Sequence, residues 1–179
     1  MNSNLDIICV SGGMTDSTTM PIWRHFPKPM RSAYPLSRFL IAELTNCSPF
    51  DAPKWQNLIY DLVQKCNAGR PVILVGHSQG GAVACCVAAL ANAGTVLGVV
   101  TIFTPHLMFS LQPWLLPMPY TINVPIVSFH GTLDTHVWCG TEHARSVAHE
   151  DLISDHMGLA HDHKHAERIV AVARKHFSL

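Results

Sequence analysis

Apolar positions along this chain recur with two periods, and the alternation between them predicts its elements. Leu5 to Val10, Val72 to Val75, Val96 to Phe103 and Val124 to Phe129 are apolar runs of strand length. Such runs, continuous rather than alternating, suit strands covered on both faces. Trp55, Leu58, Ile59, Leu62, Val63 and Cys66 instead repeat at helical spacing, predicting an amphipathic helix over Pro53 to Asn67, with Pro53 in its first turn and Gly69 beyond its end. Ala82 to Ala89 reads as a buried helix with Gly94 as its stop, and His165 to Phe177 as a terminal helix. A helical segment near Glu142 to Val147 and a short strand around Glu150 to Ile153 complete the second half. Near the N-terminus, Asp16 or Ser17 caps a short helix running to about Phe26. Pro27, Pro29 and Pro35 then flank an extended stretch at Met30 to Tyr34, expected at the sheet's edge, where proline is tolerated. Strand and helix alternate throughout, so the expected fold is α/β: a mostly parallel sheet between helices, with ligands at the carboxyl ends of the strands.

Length and composition narrow this picture. The 179 residues suffice for a single domain over 1–179, large enough to bury about 70 % of the surface its unfolded chain exposes. Lysine plus arginine and aspartate plus glutamate number 12 each, and 13 % of residues are charged, so no nucleic-acid or anionic-membrane partner is expected. Although 48 % of residues are hydrophobic, no run reaches the roughly 18 to 20 apolar residues of a membrane span. Met1 to Asp6 carries no basic region and no apolar signal core, which leads to the expectation of a soluble, cytoplasmic protein. Cys9, Cys47, Cys66, Cys85, Cys86 and Cys139 form no C-x-x-C pair and read as unbridged core thiols.

The candidate chemistry begins at Gly76-His77-Ser78-Gln79-Gly80-Gly81, where an apolar strand runs into G-x-S-x-G and then a small-residue helix. A serine hydroxyl is a weak nucleophile unless a sharp turn holds it clear of its neighbours, beside a base and amide donors. Gly76 and Gly80 supply the room for that turn, which makes Ser78 the candidate nucleophile. A base and an orienting acid should follow in the order serine, acid, histidine. The strand from Val124 ends in His130-Gly131-Thr132-Leu133-Asp134, placing Asp134 on the loop beyond its carboxyl end. The base belongs on the loop after the last strand, which leaves His156, His161, His163 and His165 of the twelve histidines. His156 is preferred and His161 is next; His149 precedes or begins the strand, and His25, His106, His143 and His176 read as surface or cap residues. For a developing oxyanion, the amide of Gln79 is one donor, and the loop Gly12-Gly13-Met14 offers the other, at Met14 or else Gly13.

These motifs together resemble a small α/β-hydrolase-fold serine hydrolase. Gly76 to Gly81 before an alanine-rich helix is similar to the S-Q-G-G turn of carboxylesterases, acyl-protein thioesterases and cutinases. Pro125 to Ser146 resembles the acid loop of the carboxylesterase and thioesterase branch. Gly12-Gly13 stands where that family usually has His-Gly, and the chain is short for it, so a strand or two and any large cap are expected to be missing. The resemblance implies ester or thioester hydrolysis through an acyl-enzyme on Ser78, on a small acyl substrate and without a cofactor.

Three alternatives stay open at this point. An amidase or an acyltransferase would use the same residues, and an inactive binding module could keep the fold. His161-Asp162-His163-Lys164-His165 offers metal-ligand chemistry, but at a spacing that gives only part of a site; a solvated helix start accounts for it better. His106 to Tyr120 is apolar, aromatic and broken by three prolines. Leu107, Met108, Phe109 and Trp114 in it are candidates to line an acyl pocket, or else side chains that complete the core.

Overall fold

The computed structural model describes residues 4–12, 22–42, 51–106, 122–137 and 145–177. Their elements are β1 (Asp6–Val10), α1 (Pro27–Ala33), β2 (Arg38–Ala42), α2 (Ala52–Ala68), β3 (Val72–His77), α3 (Gln79–Leu90), β4 (Val96–Ile102), β5 (Ile126–Gly131), β6 (Ser146–Leu152), α4 (Gly158–His161) and α5 (His163–His176). The six strands form one sheet in the order β2-β1-β3-β4-β5-β6, and every neighbouring pair is parallel.

Successive side chains of a strand point to opposite faces, so continuous apolar runs build two cores at once. Ile7, Cys9, Ile73, Val75, Val100, Val127 and Phe129 face α1 and α5, where Phe26, Met30, Ile169 and Ala173 cover them. Ile8, Val10, Val72, Leu74, Val99 and Ile126 face α2 and α3 and meet Trp55, Leu62, Cys66, Val83 and Val87. The result is a three-layer α/β sandwich, as the alternation of elements predicts. Register is fixed by more than packing at one edge: Arg38 of β2 lies opposite Asp6 of β1 and donates to both its carboxylate oxygens at 2.8 and 2.6 Å. Cys9, Cys66, Cys85 and Cys86 are buried thiols, and burial pushes Cys66 up to about 11 and Cys86 up to about 12; Cys47 and Cys139 lie outside the described residues.

Several local expectations are corrected. Residues 27–33 form a helix rather than an edge strand: Pro27 and Pro29 sit in its first turn, where the missing N–H groups would have had no intrahelical acceptor. The edge strand is Arg38–Ala42 instead. Ser146 and Val147 belong to β6, not to a helix, and His149 is the fourth residue of that strand. Asp51 caps α2 by accepting from the Lys54 amide, while α3 ends at Leu90, with Gly94 in the following turn at φ +82°. His106, expected to be a surface or cap residue, is buried four residues beyond the end of β4. The proposed helix start at Asp16 or Ser17 lies outside the described residues.

Candidate active site

Ser78 occupies the turn between β3 and α3 with φ 54° and ψ −129°, a conformation that costs a non-glycine residue on the order of 1–3 kcal/mol. The surroundings impose it. The Ser78 amide donates to the Ile102 carbonyl at 2.8 Å, continuing the β3–β4 ladder into the turn, while α3 starts at the very next residue and is buried from Gln79 to Ala88. Glycines allow the close approach. A Cβ on Gly76 would lie 2.3 Å from the Gly80 carbonyl oxygen, and one on Gly80 would lie 2.2 Å from that of Val10. Gly12, just after β1, passes directly against the serine: a Cβ there would sit 2.9 Å from Ser78 Cβ and 3.4 Å from its Oγ. Gly12, the first residue of the loop singled out for an oxyanion donor, is therefore in contact with Ser78; Gly13 and Met14 lie outside the described residues. Gln79, the other expected donor, is the first residue of the twelve-residue α3, and a helix N-terminus favours negative charge.

Asp134 and His156 stand on neighbouring loops that the backbone ties together. Past β5, the amides of Thr132 and Leu133 donate to the carbonyls of Leu152 and Ser154, at 2.9 and 3.0 Å, which lays the acid loop along the chain leaving β6. The contact is close because residue 131 is glycine; a Cβ there would lie 2.6 Å from the Ser154 carbonyl oxygen. His156 Nδ1 then meets Asp134 Oδ2 at 2.7 Å, and Asp134 Oδ1 accepts from the amides of His136 and Val137 at 2.8 and 2.9 Å. Burial alone would raise the Asp134 carboxyl, but the bonds from His156 and from these two amides outweigh it and hold it below its ordinary value. An ionised carboxylate only accepts, so His156 donates from Nδ1, and the neutral tautomer compatible with this bond is the one whose lone pair is on Nε2. His161 is exposed at the end of α4, and His163 and His165 lie in the first turn of α5; of the four candidates, His156 is the one bonded to Asp134.

Two further imidazoles lie close to His156. His136, exposed on the acid loop, lies 5.3 Å from the His156 ring, tilted by 35°. The buried ring of His77 lies 4.8 Å from that of His156. Nothing in residue type or spacing marks either one. The apolar candidates Leu107, Met108, Phe109 and Trp114 lie outside the described residues. Among the described residues, no group of three or more His, Cys, Asp or Glu side chains could hold a metal ion, and no helix is long and apolar enough to cross a membrane.

The fold is thus an α/β sandwich with a parallel sheet between helix layers, and a serine turn and an Asp–His pair stand at the carboxyl ends of its strands. Residues 7–171 match the alpha/beta hydrolase family, and the chain belongs to that family. No curated protein shows significant similarity to it. Among solved structures it is similar to Est1E from Butyrivibrio proteoclasticus, at 11 % identity over 98 % of this chain and 87 % of that one, with a TM-score of 0.69. An esterase domain from Rhodothermus marinus matches at 16 % identity over 98 % and 88 %, TM-score 0.66. Mouse alpha/beta hydrolase domain-containing protein 10 matches at 15 % identity over 95 % and 88 %, also at 0.66. At these identities the likeness is one of fold.

Proposed function

We propose that the protein is a serine hydrolase that cleaves carboxylic ester or thioester bonds through an acyl-enzyme on Ser78. The observation that carries this reading is the His156–Asp134 contact of 2.7 Å on the same sheet edge as a serine held at positive φ. In this reading Ser78 Oγ attacks the acyl carbonyl carbon while its proton passes to His156 Nε2. Asp134 holds the imidazole in the required tautomer and stabilises the imidazolium. The carbon–oxygen or carbon–sulfur bond to the leaving group then breaks, and His156 returns the proton to that group. Water, deprotonated by His156, adds to the acyl-enzyme and releases the acid and Ser78. The amides of Gln79 and Met14 would receive the oxyanion, each typically worth about 3 to 4 kcal/mol of barrier. The apolar stretch with Leu107, Met108, Phe109 and Trp114 follows the carboxyl end of β4, which suits it to the acyl side of a small substrate. An esterase domain among the similar folds supports the ester class over an amidase or an acyltransferase.

The test is covalent labelling by a fluorophosphonate probe, read by mass spectrometry on the native protein and on Ser78→Ala, His156→Ala and His161→Ala. The expected result is one adduct on Ser78, absent from the first two variants and retained in the third. No adduct on the folded native protein would sink the proposal in favour of a binding module. Labelling that survives His156→Ala but is lost in His161→Ala would move the base to His161.

A further inference from the structure

The strand order poses a problem for the site just described. β3, which leads into Ser78, is separated from β6 by both β4 and β5. The base stands on the short connection after β6, in which Ile153 is 81 % exposed. Its ring is fixed to Asp134, but the acid loop belongs to β5, so that bond registers His156 against β5 and not against β3. Nucleophile and base must nevertheless keep a separation defined to a fraction of an ångström.

One side chain spans the gap directly. His77, the last residue of β3 and the neighbour of Ser78, has its Nε2 2.9 Å from the His156 backbone carbonyl oxygen, across 79 positions of sequence. A carbonyl oxygen only accepts, so His77 donates from Nε2 and its Nδ1 is unprotonated; that Nδ1 is buried and has no partner among the described residues. The ring is itself held edge-on by Phe103 at 5.9 Å and by Trp23 at 6.5 Å, and Trp23 in turn donates to Ser11 Oγ at 2.9 Å beside Gly12. His77 thus joins the chain segments that follow β1, β3, β4 and β6.

We propose that His77 is a positioning residue for the proton transfer, its Nε2–H fixing the backbone of His156 relative to Ser78. The inference rests on the reading of His156 as the base. The choice of residue has a reason: a donor this deep must be neutral, since a cation beside His156 would oppose formation of the imidazolium. Burial, with His156 as the second influence, lowers His77 to about 3, so the imidazole donates without adding charge. Space-filling alone would be served equally well by phenylalanine.

The experiment compares the full-length protein with His77→Gln, His77→Asn and His77→Phe. Glutamine carries its amide nitrogen as many bonds from Cβ as histidine carries Nε2, asparagine one bond fewer, and phenylalanine has no donor. Turnover of p-nitrophenyl acetate, thermal melting and the downfield proton resonance of the His156–Asp134 bond are read on each. The expected result is kcat within about threefold of native for His77→Gln, but about 10- to 100-fold lower for His77→Asn and His77→Phe, with KM within about twofold. The downfield resonance should stay sharp in His77→Gln and broaden in the other two. A cooperatively melting His77→Phe with native kcat would overturn the proposal; so would a His77→Gln as slow as His77→Asn, a comparison that decides even if His77→Phe does not fold. A native protein that neither labels at Ser78 nor turns over would instead remove the hydrolase reading itself.

Discussion

In the proposed mechanism His156 serves as a base only while Nε2 keeps its lone pair, and the tautomer that allows this depends on one carboxylate. Asp134 can only accept from His156 Nδ1. An amide in its place could donate instead, leaving the proton on Nε2, where it would block removal of the Ser78 proton. Asp134→Asn is therefore expected to lower kcat by about 10³- to 10⁴-fold while the fold persists, because an Asn Oδ1 can still accept from the amides of His136 and Val137. Steady-state kinetics beside circular dichroism checks this; native kcat in Asp134→Asn would remove Asp134 from the mechanism. Residues of this kind differ in how they show in the sequence. Ser78 and Asp134 stand in short contiguous motifs whose chemistry is local, so the sequence alone is enough to propose both. His156 is one of four histidines equivalent in residue type and approximate place, and only the ladder joining the loops after β5 and β6 selects it. His77 shows nothing, because its partner is a backbone atom on a loop two strands beyond its nearest sheet neighbour.

The elements position these residues through glycine contacts that a methyl group would break. At Gly80 a Cβ would lie 2.2 and 2.6 Å from the carbonyl oxygens of Val10 and Ser11, both backbone atoms that cannot swing aside. Gly80→Ala should thus force α3 away from β1 and cost about 3 kcal/mol or more. At Gly94, with φ +82° and open space around the site, Gly94→Ala should cost only about 1 to 2 kcal/mol, the strain of a left-handed alanine. Urea unfolding of the two variants gives the comparison, and equal losses would show that contact at Gly80 is not the larger effect. Legibility at this scale follows burial. Interior strands β1, β3, β4 and β5 are continuous apolar runs and announce themselves in the sequence. Edge strand β6, Ser-Val-Ala-His-Glu-Asp-Leu, is half exposed, so its pattern carries no clean period and its first residues read as helix. In α1 the prolines read as breakers, though a helix's first turn accepts them without losing a bond.

The whole molecule carries the electrostatic cost of burying His77. Its folded value of about 3 lies below the ordinary value of 6.5, chiefly through burial. Between those two pH values the unfolded chain binds a proton that the folded chain refuses, so stability rises with pH across that window and is lost as pH falls through it. Above pH 6.5 neither state is protonated at this site, and its contribution is constant. The limiting slope is about 1.4 kcal/mol per pH unit, so moving from pH 7.5 to pH 5 should remove about 2 kcal/mol attributable to His77. Asp134, held below its ordinary 3.8, acts in the same direction, but its stabilisation is lost only as pH falls below that value, so it does not confuse a comparison made at pH 5. His77→Gln keeps a donor and cannot titrate; it should be about 2 kcal/mol less sensitive to that change than the native protein, while every other titrating group is common to both. Urea midpoints and slopes of both proteins at pH 7.5 and pH 5 measure the difference directly. Parallel losses would mean that His77 is protonated as readily in the folded protein as in the unfolded one, and that the interior around it is wetter than its packing implies.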